Sequence, residues 1–558
     1  VVRNVRALCL ALAAAALFAA CGGGNNNSGK APTQAPAAAP SSAATAAAPA
    51  AGSATAAAAT AAAPAASAAA VKPTRGGTLT VAIDSNMKNL DPIKSTLLVD
   101  RQIHYQLYDS LVSIGPDLKI QPGLADSWDT SDPKAIVFKL HQGVKFQDGT
   151  DFDATAVKFN IDRILNTASS PRHSEIASVA SVDVVDKYTV KFNLTQPFAP
   201  LLATLVDRAG MMLSPTAIQK EGDSLSTAPV GAGTGPFRFV EWLQDDHVTL
   251  ERNPNYWKKD ANGDQLPYLD KLVYKIIPDE NNRLNNLKTG DVDIAINPPA
   301  KDIAAVKKDS AFVYKDAPAL QFNGIELNVK TEPFSSKDLR QAVAYAIDRD
   351  AILQTVYFGL GVVSNGPISP PLPPYDASYK PYTHDVAKAK ALLASGGKPN
   401  GFSFDMLITS GSPQQQQLAE LIKDELKDAG ITVNIVPEEF TKLVDDTQNH
   451  KFTASILGWS GRIDPDGNSY NHFHTGGGFN DPQYSNAQVD MLLDQARASY
   501  DQEQRNSLYK QINKLVTDDA PWIFINHPLV IELHTPKVKG FVLIADGIQR
   551  YAGVWKSQ

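Results

Sequence analysis

Cysteine is almost missing from this 558-residue chain: Cys9 and Cys21 are the two present. Both precede the part that can fold, so that part has no disulfide, no thiolate nucleophile and no cysteine metal site. Its stability must then come from a large core, and 43% hydrophobic residues allow one. A basic excess is also lacking. The first 74 residues carry four cations (Arg3, Arg6, Lys30, Lys72) and no acids, which leaves 48 cations against 59 acids on the rest, a net charge of −11. That balance argues against nucleic acid or an anionic membrane surface as the main partner. Catalytic signatures are absent as well: no GxSxG elbow, HExxH, Walker A or CxxC occurs. Gly233-Thr234-Gly235 is followed by Pro236 and a strand-like run, not by a helix N-terminus, so it reads as a tight turn rather than a phosphate loop. No enzyme, cofactor or metal site is expected.

What is present begins with a basic start, Arg3 and Arg6, and an apolar run from Ala7 to Ala20. The run is too short for a stable membrane span and has the pattern of a signal peptide. Its end, Leu17-Phe18-Ala19-Ala20-Cys21, resembles a bacterial lipobox, with Phe18 where leucine is usual. The resemblance implies cleavage before residue 21, lipidation of Cys21 and an extracytoplasmic, membrane-anchored protein. Residues 22–74 are Ala, Pro, Gly, Asn, Ser and Thr with interspersed prolines and nothing to pack, which predicts a disordered spacer.

The remainder reads as α/β. Leu79, Val81 and Ile83 alternate with Thr78, Thr80 and Ala82, predicting a strand. His104 to Val112 is expected to be helical. Strands are expected at 136–140, 190–194 and 237–242, and Asp153 should cap a helix with Val157, Ile161 and Ile164 on one face. From Thr331 the texture changes to helices broken by a Pro-rich loop at 366–381. A strand (402–408), a helix ended by Gly430 and a strand (431–435) then make an α/β unit with short connections. Residues 486–516 read as mostly helix, followed by a strand at 522–526.

The stretch Ile456 to Pro482, ILGWSGRIDPDGNSYNHFHTGGGFNDP, starts as a strand and is expected to become a long loop. Trp459, Arg462, Tyr470 and Phe473 stand in it among hydrogen-bonding residues, the mix that a small-molecule cleft uses. His472 and His474 would share a face in a strand, but no third metal ligand of obvious spacing accompanies them, so satisfied or exposed histidines are the favoured reading.

From Gly76 to Leu533 the chain resembles the extracellular solute-binding proteins of dipeptide- and oligopeptide-type ABC importers, family 5. The matching stretches include QPGLADSWDTSDPKAIVFKLHQGVKFQDGT, GTGPFRFVEW, LERNPNYW, LKTGDVDI, LRQAVAYAIDRDAI and the GWSGRIDPDG loop. The resemblance implies a two-lobed, type II periplasmic-binding-protein-like α/β fold with an extra subdomain in the first lobe and a hinge between the lobes. The segments expected are residues 1–21 as signal peptide, 22–74 as linker, 75–326 with 523–558 as lobe I, and 327–522 as lobe II. Hinge crossings are expected near 324–330 and 517–526. It implies solute, ABC permease and ATPase as partners, and a monomer. A ligand-binding sensor feeding a signalling receptor, or a binder of a metal chelate or oligosaccharide, is the alternative.

In peptide-binding members, an Asp three residues past the Trp pairs with the peptide's free amine. Arg462 holds that place here, and a cation repels an ammonium group in a partly dry cleft. By match to the Gly-Trp loop, Trp459 is expected as a platform and Ser460 as a hydrogen-bonding group. Arg462, Asp464, Tyr470 and Asn480 are further ligand candidates. Arg462 either presents its planar fork of donors to an anionic solute group or pairs with Asp464 or Asp466 and shapes the loop.

Overall fold

The computed structural model describes residues 72–557. Cys21, the signal-like run and nearly all of the Ala/Pro-rich segment lie outside them.

The alternation in Thr78–Ile83 buries Leu79 and Val81 on one face and pairs the strand in parallel with Lys271–Ile276. These two sit at the centre of a seven-stranded sheet in the order Val313–Pro318, Leu529–His534, Ile294–Ala295, Thr78–Ile83, Lys271–Ile276, His247–Arg252, Phe237–Leu243. A four-stranded antiparallel sheet made of Ala125–Asp129, Ala135–Leu140, Thr189–Leu194 and Val179–Asp186 forms the extra subdomain beside it, with its own core. Helix Ala154–Leu165 packs there, and Asp153 caps it as expected, its carboxylate accepting from the backbone N–H of Thr155 and Ala156.

The second lobe is a six-stranded mixed sheet: Val362–Val363, Trp522–His527, Phe322–Leu327, Ala454–Trp459, Ser403–Thr409, Thr432–Glu438. Its two faces differ. Ile325, Leu327, Ile456, Ile523 and Ile525 point to one, covered by Lys337–Ala346, Val386–Ser395 and Pro413–Ala429. Phe322, Trp459, Trp522 and Phe524 point to the other, covered by Asp466–Phe473, Ala487–Ala498 and Gln502–Asp519. Gly430, at φ +92°, closes Pro413–Ala429 in the left-handed conformation that glycine adopts without penalty.

The chain leaves the first sheet at Pro318, enters the second at Phe322, and returns between His527 and Leu529. The two crossings touch: Ala319 N–H donates to Pro528 O at 3.1 Å, and His527 Nδ1 lies 3.0 Å from Gln321 O. The expected boundaries at 326/327 and 522/523 therefore fall inside or at the edge of strands of the second sheet, because the strands continue through the segments expected to bend. Residues 486–516 are mostly helix, as expected, in two helices separated by Ser499–Asp501. Two further expectations are corrected. The first helix is Leu98–Leu107, not 104–112, because Asp100, Arg101, Gln102, His104 and Gln106 are all buried in it and mask its apolar periodicity. The supposed loop 456–482 contains the helix Asp466–Phe473.

Candidate functional site

A cavity of about 420 Å³ lies between the two large sheets. Asp84, Gln102 and Arg283 line it from the first lobe, and Tyr357, Gln415 and Trp459 from the second. That size falls within the ~300–1,000 Å³ typical of small-molecule sites. The walls are braced from behind. Gln102 is fixed by bonds with Gly547 O and Gln549 N–H in the C-terminal segment. Arg283 donates to four backbone carbonyls, those of Ile277, Pro278, Ile296 and Asn297, and so pins two wall segments together.

The lobes meet at the cavity rim. Arg101 Nη1 donates to Ser460 Oγ at 3.1 Å, Arg462 Nε lies 3.1 Å from Asp207 Oδ2, and Gln414 N–H donates to Glu280 Oε1 at 3.1 Å. Each contact joins a residue of one lobe to a residue of the other, so this arrangement is closed.

The Gly-Trp loop is built around Asn468. Its Oδ1 accepts from Trp459 Nε1 and from Arg462 N–H, and its Nδ2 donates to Arg462 O. Gly461 sits at φ +78°, and a Cβ there would come within 2.3 Å of Leu320 O in the crossing segment. The Trp459 ring is held with the Arg462 guanidinium over it at 4.3 Å and His472 edge-on at 4.3 Å.

Of the six expected site residues, the structure brings Trp459 and Ser460 to the cavity wall. Arg462 and Asp464 border a smaller adjoining cavity of about 30 Å³. The pairings expected for Arg462 do not form. Asp464 is held by Arg505 in a two-pronged pair at 2.6 and 2.9 Å, and Asp466 by Arg497 at 2.7 and 3.0 Å. Tyr470 stacks under Arg497 and donates to Asp494, away from the large cavity. Asn480 spends its amide on Tyr484 and His474 backbone. His472 and His474 do not share a face, because His472 lies in the helix Asp466–Phe473 and His474 caps its end: His472 turns inward against Trp459, and His474 stacks on Tyr470.

Arg462 instead joins a buried cluster that sequence reasoning missed. Arg101, Arg172, Arg208 and Arg462 surround Asp207 and Glu175, and Asp100 reaches Arg208 through the Ser95 hydroxyl. Burial alone would raise the Asp207 carboxyl, but Arg101, Arg462, Arg208 and Arg172 together hold it well below the usual carboxylate range. Burial, with Arg101 close by, lowers Arg462 to about 10, so it stays charged at neutral pH. Arg462 Nη2, Arg172 Nη2 and Arg208 Nη2 are buried without a hydrogen-bond partner.

Comparison with known proteins places this geometry. The profile of bacterial extracellular solute-binding proteins, family 5 (middle region), matches residues 119–481. The glutathione-binding protein GsiB of Pectobacterium atrosepticum is 31% identical over 478 residues, covering 84% of this chain and 91% of that one. Among solved structures, the ABC transporter-associated periplasmic binding protein DppA from Helicobacter pylori, in complex with the peptide STSA, superposes with TM-score 0.80 at 27% identity, covering 87% of this chain and 99% of that one. AgaA from A. tumefaciens R10, in complex with agropinic acid, does so with TM-score 0.79 at 30% identity, covering 86% and 99%. The chain thus belongs to family 5 of the bacterial extracellular solute-binding proteins, the extracytoplasmic solute-capturing components of ABC importers rather than enzymes.

Proposed function

We propose that this chain captures a small peptide-like solute bearing a carboxylate and delivers it to a membrane permease by closing its two lobes. The observation that carries the solute class is the shared Ser460. Its hydroxyl lines the cavity while accepting from Arg101, and Arg462 stands 3.3 Å away. A carboxylate at that end of the cavity gains a hydroxyl donor and the field of the clustered guanidinium groups. The relatives that bind glutathione and the peptide STSA support a solute of this size.

The test is a thermal-shift and calorimetric screen of peptides, sugars, organic acids and metal chelates, each acid matched with its amide. Peptides with a free carboxylate should bind ~30-fold or more tightly than their amides, the equivalent of about 2 kcal/mol. The same preference should shrink in Arg462→Ala. Amides that bind as tightly as acids would remove the carboxylate claim. Scattering with bound solute should show a smaller radius than without it, because hinge closure is what the two crossings allow.

Among the described residues no helix is long and apolar enough to cross a membrane. We assign attachment to a lipidated Cys21, with residues 22–74 as a leash that keeps the binder near its permease. Cys21→Ala should move the protein from the membrane to the soluble fraction without altering affinity. Wild-type protein already in the soluble fraction of a bacterial host would defeat this assignment.

A further inference from the structure

Glu326 stands where the sheet pattern calls for an apolar residue. It shares a face with Phe322 on its strand and with Trp522 and Ser455 on the strands to either side, the face that carries the aromatic core. It is 2% exposed, yet it borders the large cavity, and its Oε2 has no hydrogen-bond partner. Asp481, from the segment after Asp466–Phe473, borders the same cavity. So do two more buried groups without partners, the Trp522 Nε1–H and the ring nitrogens of His472. Two acids buried beside a sheet face, with no basic side chain among the described residues paired to either, are costly unless something else completes them.

We propose that Glu326 and Asp481 form a second subsite, in the floor of the second lobe, that receives a cationic group of the solute, an ammonium or guanidinium. This deepens the peptide-like reading above and rests on it. Strand register separates the acids from the Ser460 end: Phe322 pairs with Trp459, whereas Glu326 pairs with Ser455 four residues along, about 13 Å away, and Asp481 lies close enough to Glu326 to act on its carboxyl. The cavity is therefore polarised, with positive charge at the Ser460 rim and acids in the floor. A dipolar solute spans both.

The electrostatics fit a pocket floor that a cation would complete. Burial raises the Glu326 carboxyl well above its ordinary range, and the charge of Asp481 adds to this. Burial raises Asp481 to about 7, opposed by Thr447 of the neighbouring helix Phe440–Gln448. The other titratable group facing the pair is His472, which burial, helped by Arg462, lowers to about 3, so it is neutral. His450 reaches Asp481 only through its backbone carbonyl. Free of solute, both acids are shifted toward their protonated forms. An arriving cation favours the ionised acids and releases their protons.

The experiment compares tripeptides that contain lysine with the same peptides carrying acetyl-lysine, by calorimetry at pH 7.5 in buffers of different ionisation enthalpy, on wild type and Glu326→Gln. The lysine form should bind wild type ~30-fold or more tightly, with proton release, and lose that advantage by pH 5. Glu326→Gln should bind both forms alike and still bind the acetylated one. Equal affinities in wild type, or a lysine preference that survives Glu326→Gln, would overturn the subsite while leaving the peptide-like reading in place. If no peptide binds, that reading fails, and agmatine decides the subsite: saturable binding lost in Glu326→Gln supports it, and no binding refutes it.

Discussion

Replacing Asp207 by Asn should damage this protein more than replacing any one of the arginines around it. Asp207 is 4% exposed and stands against Arg101 Nη2 at 3.0 Å, Arg462 Nε at 3.1 Å and Arg208 Nε at 3.7 Å. Asparagine keeps the shape and can still accept from Arg208 N–H, as Asp207 Oδ1 does at 2.8 Å. It removes the charge that three guanidinium groups share, leaving Glu175 as the remaining acid ion-paired with any of the four among the described residues. Breaking a buried pair by removing one partner costs about 3–5 kcal/mol, because the survivors stay buried and uncompensated. Removing a cation from the same cluster relieves repulsion among the rest, so Arg462→Met should cost less, about 1–2 kcal/mol. The sign with pH follows from the depressed Asp207 carboxyl. Its contribution is fully present above the unfolded value near 3.8 and is lost only as pH falls through the lower folded value. The gap between wild type and Asp207→Asn should therefore be flat from pH 5 to 8. Urea denaturation followed by circular dichroism measures it. An Asp207→Asn midpoint equal to wild type, or a smaller loss than in Arg462→Met, would refute the charge accounting.

Three other outcomes are expected. Gly461→Ala places a methyl 2.3 Å from Leu320 O at a positive φ, so it should lower stability by about 2 kcal/mol or more and weaken solute binding, read by denaturation and calorimetry. Trp459 has an edge on the cavity, so solute should change the tryptophan emission of wild type and change it far less in Trp459→Phe; an identical response would place the solute elsewhere. His527, lowered to about 4 by burial, refuses a proton that the unfolded chain accepts below about 6.5. It thus costs stability as pH falls from about 6.5 to 4, and His527→Gln should lose up to about 3 kcal/mol less than wild type between pH 7 and 4.5. Parallel losses in the two proteins would contradict this.

Local signals were the legible ones. Asp153 before an apolar-periodic run, Gly430 after one, and the alternation of Leu79, Val81 and Ile83 each depend on neighbours a few residues away, and each appears where its chemistry puts it. The polar interior was not legible. Arg101, Gln102, His104 and Gln106 are buried because partners from residues 89, 207, 460, 547 and 549 reach them, and nothing in the spacing of residues 98–107 announces those partners. The helix Asp466–Phe473 was hidden for the same reason. Its Asn, Ser and Gly residues favour loops, but Asn468, Ser469 and Asn471 are enclosed by the fold, and tertiary contacts override the weak propensity. Glu326 was visible as an acid in an apolar strand, and that break in pattern was the available pointer to the cavity floor.

Arg462 shows why a site of this kind resists reading from one segment. Within the loop its possible partners were Asp464 and Asp466, two and four residues on. Both are taken by Arg505 and Arg497, which lie on helices packed behind the loop. The loop thus has its own acids neutralised from within its lobe, and Arg462 is left to find a carboxylate across the cleft, at Asp207. That pairing exists only when the lobes are together. Arg462 is then a residue of the closed state, held to Asp207 across the cleft, and under the proposed function its charge would reach the solute through Ser460 as well. A substitution there should change both affinity and the opening equilibrium, so the two are measured separately, by binding at fixed pH and by scattering of the solute-free protein.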